Sequence, residues 1–111
     1  MISTHVLDTA RGVPAAGVRV VLERVEAGRI REISRATTDG DGRVRELVST
    51  STAPEVGRYR LTFDTGAFFA TLGIEAFYPS VAIVFEIRDV TQHYHVPLLL
   101  SPYGYSTYRG S

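Results

Sequence analysis

The sequence contains no cysteine, which excludes disulfides and thiolate chemistry and leaves the redox compartment open. Lysine is absent as well, so the twelve cationic side chains are all arginines, balanced by twelve carboxylates at a formal net charge of zero. A codon bias produces such an arginine-only set, and no single arginine is informative by its type. The charges are scattered, with no basic stripe of the kind nucleic acid demands, so neither DNA nor RNA is expected as a partner. No stretch reaches the ~20 apolar residues of a membrane span. The opening "MISTHVLDTARG" has no apolar run behind a basic segment, so no leader is expected either. A soluble, cytoplasmic protein without membrane contact is the expectation. Repeats, linkers and low-complexity tracts are also missing.

What is present fits one compact domain over residues 1–111, with 44% hydrophobic content. Folding at this size hides about two-thirds of the unfolded surface. The radius of gyration expected for the length is about 13 Å, which leaves little volume for a deep pocket beside a core. A sizeable site forms more easily between subunits.

Period-two alternation dominates: Val18, Val20 and Leu22; Tyr59, Leu61 and Phe63; Val81, Ile83, Phe85 and Ile87. Each run reads as a strand with one face on a core. Turn signals separate the runs, at 11–17 ("RGVPAAG"), 26–28 ("EAG"), 38–42 ("TDGDG") and 53–57 ("APEVG"). This spacing predicts an antiparallel β-sandwich. Strands are expected near 3–8, 18–26, 30–37, 43–46, 57–64, 81–88, 93–100 and 104–108. One short helix is expected over 64–73, capped by Asp64 or Thr65, packed through Phe68, Phe69 and Leu72, and stopped by Gly73. Pro97 cannot donate to a ladder, so its strand must be bulged or unpaired at that position.

The chemistry-bearing residues are few. His5 falls in the first expected strand, and His93 and His95 share one face of the seventh. Tyr94, Val96, Leu98 and Leu100 make the better core stripe, so the histidines should line the opposite surface. Three readings stay open: zinc held by three imidazoles with an open fourth position, metal-free acid–base work near neutral pH, or ordinary surface hydrogen bonding. Arg43 follows the "TDGDG" turn and should stand at a loop rim. There it can clamp a carbonyl or carboxylate oxygen, or simply be solvated. Asp8 reads as a turn former before "TARG". The closing "YSTYRGS" spends two tyrosines and an arginine on its last seven positions, where small polar residues are usual. From residue types alone, a last strand with an exposed arginine accounts for it equally well.

Taken together, "STHVLD" at 3–8, "DGR" at 41–43 and "HYHVPLLLSPYGYSTYRGS" at 93–111 resemble the transthyretin-related 5-hydroxyisourate hydrolases of purine catabolism, over nearly the whole chain. Transthyretin proper is similar in fold and in "LLLSPYGYST". Its hormone-carrier members lack the terminal "YRGS" and do not keep the histidine and arginine set. The resemblance implies an all-β, transthyretin-like (prealbumin-like) two-sheet Greek-key sandwich of eight strands with a short helix. It also implies a homotetramer with sites in a central channel at the dimer–dimer interface, with the tail folded across a shared site, where a C-terminal extension should interfere.

The resemblance further implies the activity, hydrolytic ring opening of 5-hydroxyisourate to 2-oxo-4-hydroxy-4-carboxy-5-ureidoimidazoline in urate degradation, with no cofactor and no metal. Matched by motif, the catalytic positions are His5, Arg43 and His95, and the substrate-binding positions are Tyr108, Ser111 and Arg109. Arg109 stays open between substrate contact and tetramer brace, and His93 is not assigned a catalytic role. On this reading His5 and His95, on adjacent strands, orient and deprotonate water while Arg43 steadies the oxyanion. Tyr108 offers a hydrogen bond or a flat wall, and Ser111 its hydroxyl or a terminal carboxylate. Two alternatives remain: a non-catalytic transthyretin-like carrier of small ligands, and a zinc hydrolase using all three histidines.

Overall fold

The alternating runs become strands in a computed structural model that describes residues 1–48 and 54–111. In chain order the elements are β1 (Ile2–Asp8), β2 (Val13–Pro14), β3 (Arg19–Glu26), β4 (Arg29–Thr37), β5 (Arg43–Val44), β6 (Gly57–Phe63), α1 (Thr65–Thr71), β7 (Val81–Ile87), β8 (Tyr94–Ser101) and β9 (Gly104–Thr107). All eight expected strands form. The addition is β2, two residues that pair with β1 through Leu7↔Pro14 and Asp8↔Val13. Its sequence reads as a turn, and its proline is tolerated because β2 lies at a sheet edge.

Two sheets face each other. One runs β2–β1–β8–β9, with β5 also pairing to β1, and the other runs β4–β3–β6–β7. Val20, Leu22, Leu61 and Phe63 from the second sheet belong to one fully buried core cluster with Ile2, Val6 and Leu98 from the first. This is where alternation places them. At about 25 cal/mol per Å² of apolar area, each large side chain removed from water contributes on the order of 2 kcal/mol. The expected turn at 53–57 is seen from Pro54 onward, Ala53 lying outside the described residues. Tyr59 pins it, its hydroxyl accepting from Glu55 N at 2.9 Å and donating to Glu55 O at 2.7 Å.

Three expectations need correction. The sandwich is not wholly antiparallel, because β1 and β8 run parallel in continuous register from Ile2↔Tyr94 to Asp8↔Leu100. Alternation reports which face a residue occupies and carries no information on strand direction. In α1, Asp64 occupies the N-cap position without a side-chain cap hydrogen bond, and Thr65 is its first, buried residue. Leu72 does not pack inward but is 38% exposed. Its amide bonds to Phe69 O, three residues back, a tightened last turn that carries it off the stripe of Phe68 and Phe69. Gly73 follows at φ +69° and ends the helix as expected.

Pro97 is accommodated by an interruption on one side only. The β1–β8 register passes through His5↔Pro97 without a shift. Toward β9, pairing stops at Leu98↔Thr107 and resumes in the same register at the isolated bridge His95↔Gly110. The gap falls opposite the nitrogen that cannot donate. Thr107 Oγ1 donates to Pro97 O at 2.7 Å and occupies part of it. Among the described residues no helix is long and apolar enough to cross a membrane.

Candidate active site

On β1, Ile2, Thr4, Val6 and Asp8 turn to the buried side, which leaves Ser3, His5 and Leu7 for the outer face. The neighbouring strands give these positions their company. Ser3 stands opposite His95 across the parallel β1–β8 pair, and His5 stands between Pro97 on β8 and Arg43 on β5. Residues from three distant parts of the sequence thus meet on one outer surface.

The "TDGDG" turn delivers Arg43 there. Asp39 Oδ1 accepts the amides of Asp41 and Arg43, both at 2.9 Å. The bond from the Arg43 amide is the foremost cause holding the Asp39 carboxyl below the ordinary carboxylate range. Gly42, at φ +76°, has no room for a Cβ against the Val6 carbonyl, and its own carbonyl accepts from Val6 N at 2.7 Å. His5 Nε2 lies 2.9 Å from Asp41 O. A carbonyl only accepts, so His5 carries its proton on Nε2. The loop is thereby fastened to β1, with Arg43 opposite His5 where it leaves the turn.

His95 is oriented through its other nitrogen. Its Nδ1 is 2.8 Å from Ser3 Oγ, and the same oxygen is 2.7 Å from His93 Nε2. The tail closes from the far side, Gly110 N donating to His95 O at 2.8 Å. A Cβ on Gly110 would stand 2.5 Å from His95 Cδ2, so only glycine lets the tail lie against the ring. Burial, followed by the charges of Arg43, His93 and His5, holds the His95 imidazole below its ordinary pKa. A cleft of about 230 Å³ opens here, lined by Ser3, Thr4, Arg43, Val44, Arg45, His93, His95 and Ser111.

Of the sequence-derived site residues, Arg43, His95 and Ser111 line this cleft, while His5 flanks it beside Arg43. Tyr108 is 57% exposed in the interruption opposite Pro97. Arg109 is not brought to the cleft. Its guanidinium carbon lies 4.6 Å from the centre of the Tyr94 ring, and Nη2 donates to Gln92 Oε1 at 2.8 Å. Tyr94 and His95 project to opposite sides of β8, so Arg109 secures the tail from the side away from His95. Ser3 is the residue missed by sequence reasoning. Its period-two relation to His5 was a usable signal, but its place beside His95 depends on a pairing register that the sequence does not display. Among the described residues no group of three or more His, Asp or Glu side chains is arranged to hold a metal ion.

Replacing Gly110 by alanine should displace either the ring or the tail. The expected result is a loss of activity larger than the loss of thermal stability, because the contact concerns one exposed segment. Side-by-side melting and rate measurements check this; unchanged kinetics would mean that the tail does not press on His95.

The HIUase/Transthyretin family model matches residues 2–110. The chain belongs to the HIUase/Transthyretin family. It is 44% identical over 111 residues to 5-hydroxyisourate hydrolase of Salmonella dublin, covering all of this chain and 81% of that protein. The solved 5-hydroxyisourate hydrolase of Klebsiella pneumoniae superposes with a TM-score of 0.87 at 39% identity, covering 99% of this chain and 92% of that one. Sea bream transthyretin, solved in complex with thyroxine, gives a TM-score of 0.91 at 29% identity, covering 98% and 93%. The family's transthyretin-like sandwich is therefore the fold of this chain, and the expectations for the two sheets and the short helix hold.

Proposed function

We propose that this chain, as one transthyretin-like domain over residues 1–111, is a 5-hydroxyisourate hydrolase of urate degradation and works as a homotetramer. One observation carries the reading: Arg43, His95 and Ser111 line a single small polar cleft. The solved hydrolase of Klebsiella pneumoniae, which shares the fold over nearly its whole length, supports it.

In the proposed reaction water adds to the carbonyl of a cyclic amide-type bond. Neutral His95 takes a proton from the water through Nε2, the nitrogen not engaged by Ser3. The oxygen attacks the carbonyl carbon, and the negative charge moving onto the carbonyl oxygen is met by the Arg43 guanidinium. The C–N bond then breaks, and the proton held by His95 passes to the leaving nitrogen. His5, with its Nε2 proton committed to Asp41 O, retains Nδ1 as an acceptor that orients the water. Ser111 closes the cleft, Arg109 holds the tail that carries it through Tyr94 and Gln92, and exposed Tyr108 offers the substrate a hydrogen bond or a flat wall.

A cleft of about 230 Å³ is below the ~300–1,000 Å³ usual for small-molecule sites. A second copy facing this surface would supply a further wall, as sites between the subunits of the proposed tetramer require. Sedimentation equilibrium should then give four chains per particle, and a monomer with full activity would sink this part. The carrier reading has sea bream transthyretin in its favour, but charged and imidazole groups line this cleft where an apolar ligand needs apolar walls. The deciding experiment is an ultraviolet time course of freshly generated 5-hydroxyisourate. Decay no faster with the protein than in buffer alone rejects the hydrolase and leaves the carrier.

A further inference from the structure

The Ser3 hydroxyl is shared between two imidazoles. His93 Nε2 is 2.7 Å and His95 Nδ1 is 2.8 Å from the same oxygen, and the ring centres are 6.4 Å apart. A hydroxyl has one proton to donate. If Ser3 donates to His93 Nε2, it accepts from His95 Nδ1; if it donates to His95 Nδ1, it accepts from His93 Nε2. With both rings neutral, the proton positions on the two histidines are therefore not independent. Either both rings carry the proton on Nδ1, or both carry it on Nε2.

Both rings line the cleft, His95 half-buried within it and His93 exposed at the residue before β8. The groups acting on this pair are Arg43 from β5, Arg45 just beyond it, His5 from β1, and Asp41, which pairs with Arg45 at 3.8 Å. None of them is hydrogen-bonded to the shared hydroxyl among the described residues. The hydrogen-bonded path from the half-buried ring to the exposed one thus runs His95, Ser3, His93.

We propose that Ser3 is a positioning residue that couples His93 to His95, setting which nitrogen of His95 faces the cleft as a base and passing protons between that ring and solvent. The inference rests on the hydrolase reading given above. In the ready state His95 holds its proton on Nδ1, against Ser3 Oγ, and presents a bare Nε2. When Nε2 takes a proton from water, the Nδ1 proton moves to Ser3 Oγ, the Ser3 proton moves to His93 Nε2, and His93 Nδ1 releases a proton to solvent. Both rings finish as Nε2–H tautomers and Ser3 is again a neutral hydroxyl; when His95 Nε2 gives its proton to the leaving nitrogen, a proton taken up from solvent at His93 Nδ1 runs the relay back and restores the ready state. Sequence reasoning gave His93 no catalytic role; here it is the solvent end of the relay.

The test combines imidazole nitrogen NMR of histidine-labelled protein at a pH where both rings are neutral with steady-state kinetics of Ser3→Ala and Ser3→Thr. In the wild type His93 and His95 should show the same tautomer. Opposite tautomers overturn the proposal, and this readout needs neither a variant nor activity. Ser3→Ala should uncouple the two rings and lower kcat about tenfold, the scale of one lost hydrogen bond, with KM little changed. Ser3→Thr keeps the hydroxyl on a side chain suited to strands and should restore both. A Ser3→Ala protein with unaltered kcat and an unaltered acid limb of the rate profile also overturns it. Should the wild type fail to hydrolyse 5-hydroxyisourate, the function reading falls, while the tautomer measurement still decides whether Ser3 couples the rings.

Discussion

His95→Ala is expected to lower the turnover of 5-hydroxyisourate by about 10²–10⁴-fold, the usual contribution of one positioned general base. Little would then remain above spontaneous ring opening, which must be subtracted. Burial first, and then the charges of Arg43, His93 and His5, hold the His95 imidazole below its ordinary value. The sign matters for the pH profile. A base works in its neutral form, and a lowered pKa keeps it neutral to lower pH. The acid limb of kcat should therefore fall below the ordinary imidazole value of about 6.5. The same shift favours the folded state above that ordinary value, and the contribution is lost as pH drops through the folded-state pKa. Circular dichroism of the variant at each pH separates lost chemistry from lost fold. A limb centred well above 6.5 would mean that His95 is not the titrating base.

Arg43→Ala is expected to cost about 10²–10³-fold in kcat, as removal of an oxyanion donor does. It should have a second effect that a mere binding residue would lack. Arg43 is the largest charge opposing protonation of His95, so without it the acid limb should move up toward the ordinary imidazole range. Arg43→Lys keeps the cation and should leave the limb near its original place, while losing the planar two-pronged grip on oxygen. Rates measured across pH for the two variants check both statements. A large rate loss in Arg43→Ala with an unmoved limb would show that the guanidinium acts elsewhere than beside His95.

Much of this was legible in the sequence. The stripes Val18–Val20–Leu22 and Tyr59–Leu61–Phe63 define core faces because burial on a pleated strand has period two. "TDGDG" marks a turn because Asp39 accepts two backbone amides and Gly42 takes a positive φ. Strand partners and strand direction were not legible. Nothing in "STHVLD" says that its neighbour is "YHVPLLLS", or that the two run parallel, so the place of Ser3 beside His95 is not visible in the sequence. Leu72 fits a helical stripe by spacing, yet the tightened last turn puts it toward solvent. Arg109 sits in the closing "YRGS", but which side of the chain it takes depends on Tyr94 and Gln92, brought to it by tertiary structure.

The parallel union of β1 with β8 also bears on when the protein becomes competent. Ser3 and His95 stand 92 positions apart, and closing so long a loop is favoured only once the intervening strands have packed. Half-made chains on the ribosome and partly refolded molecules therefore have no cleft to offer. Recovery of catalysis after dilution from denaturant becomes a clock for the last long-range contact, trailing the optical signals of sheet formation.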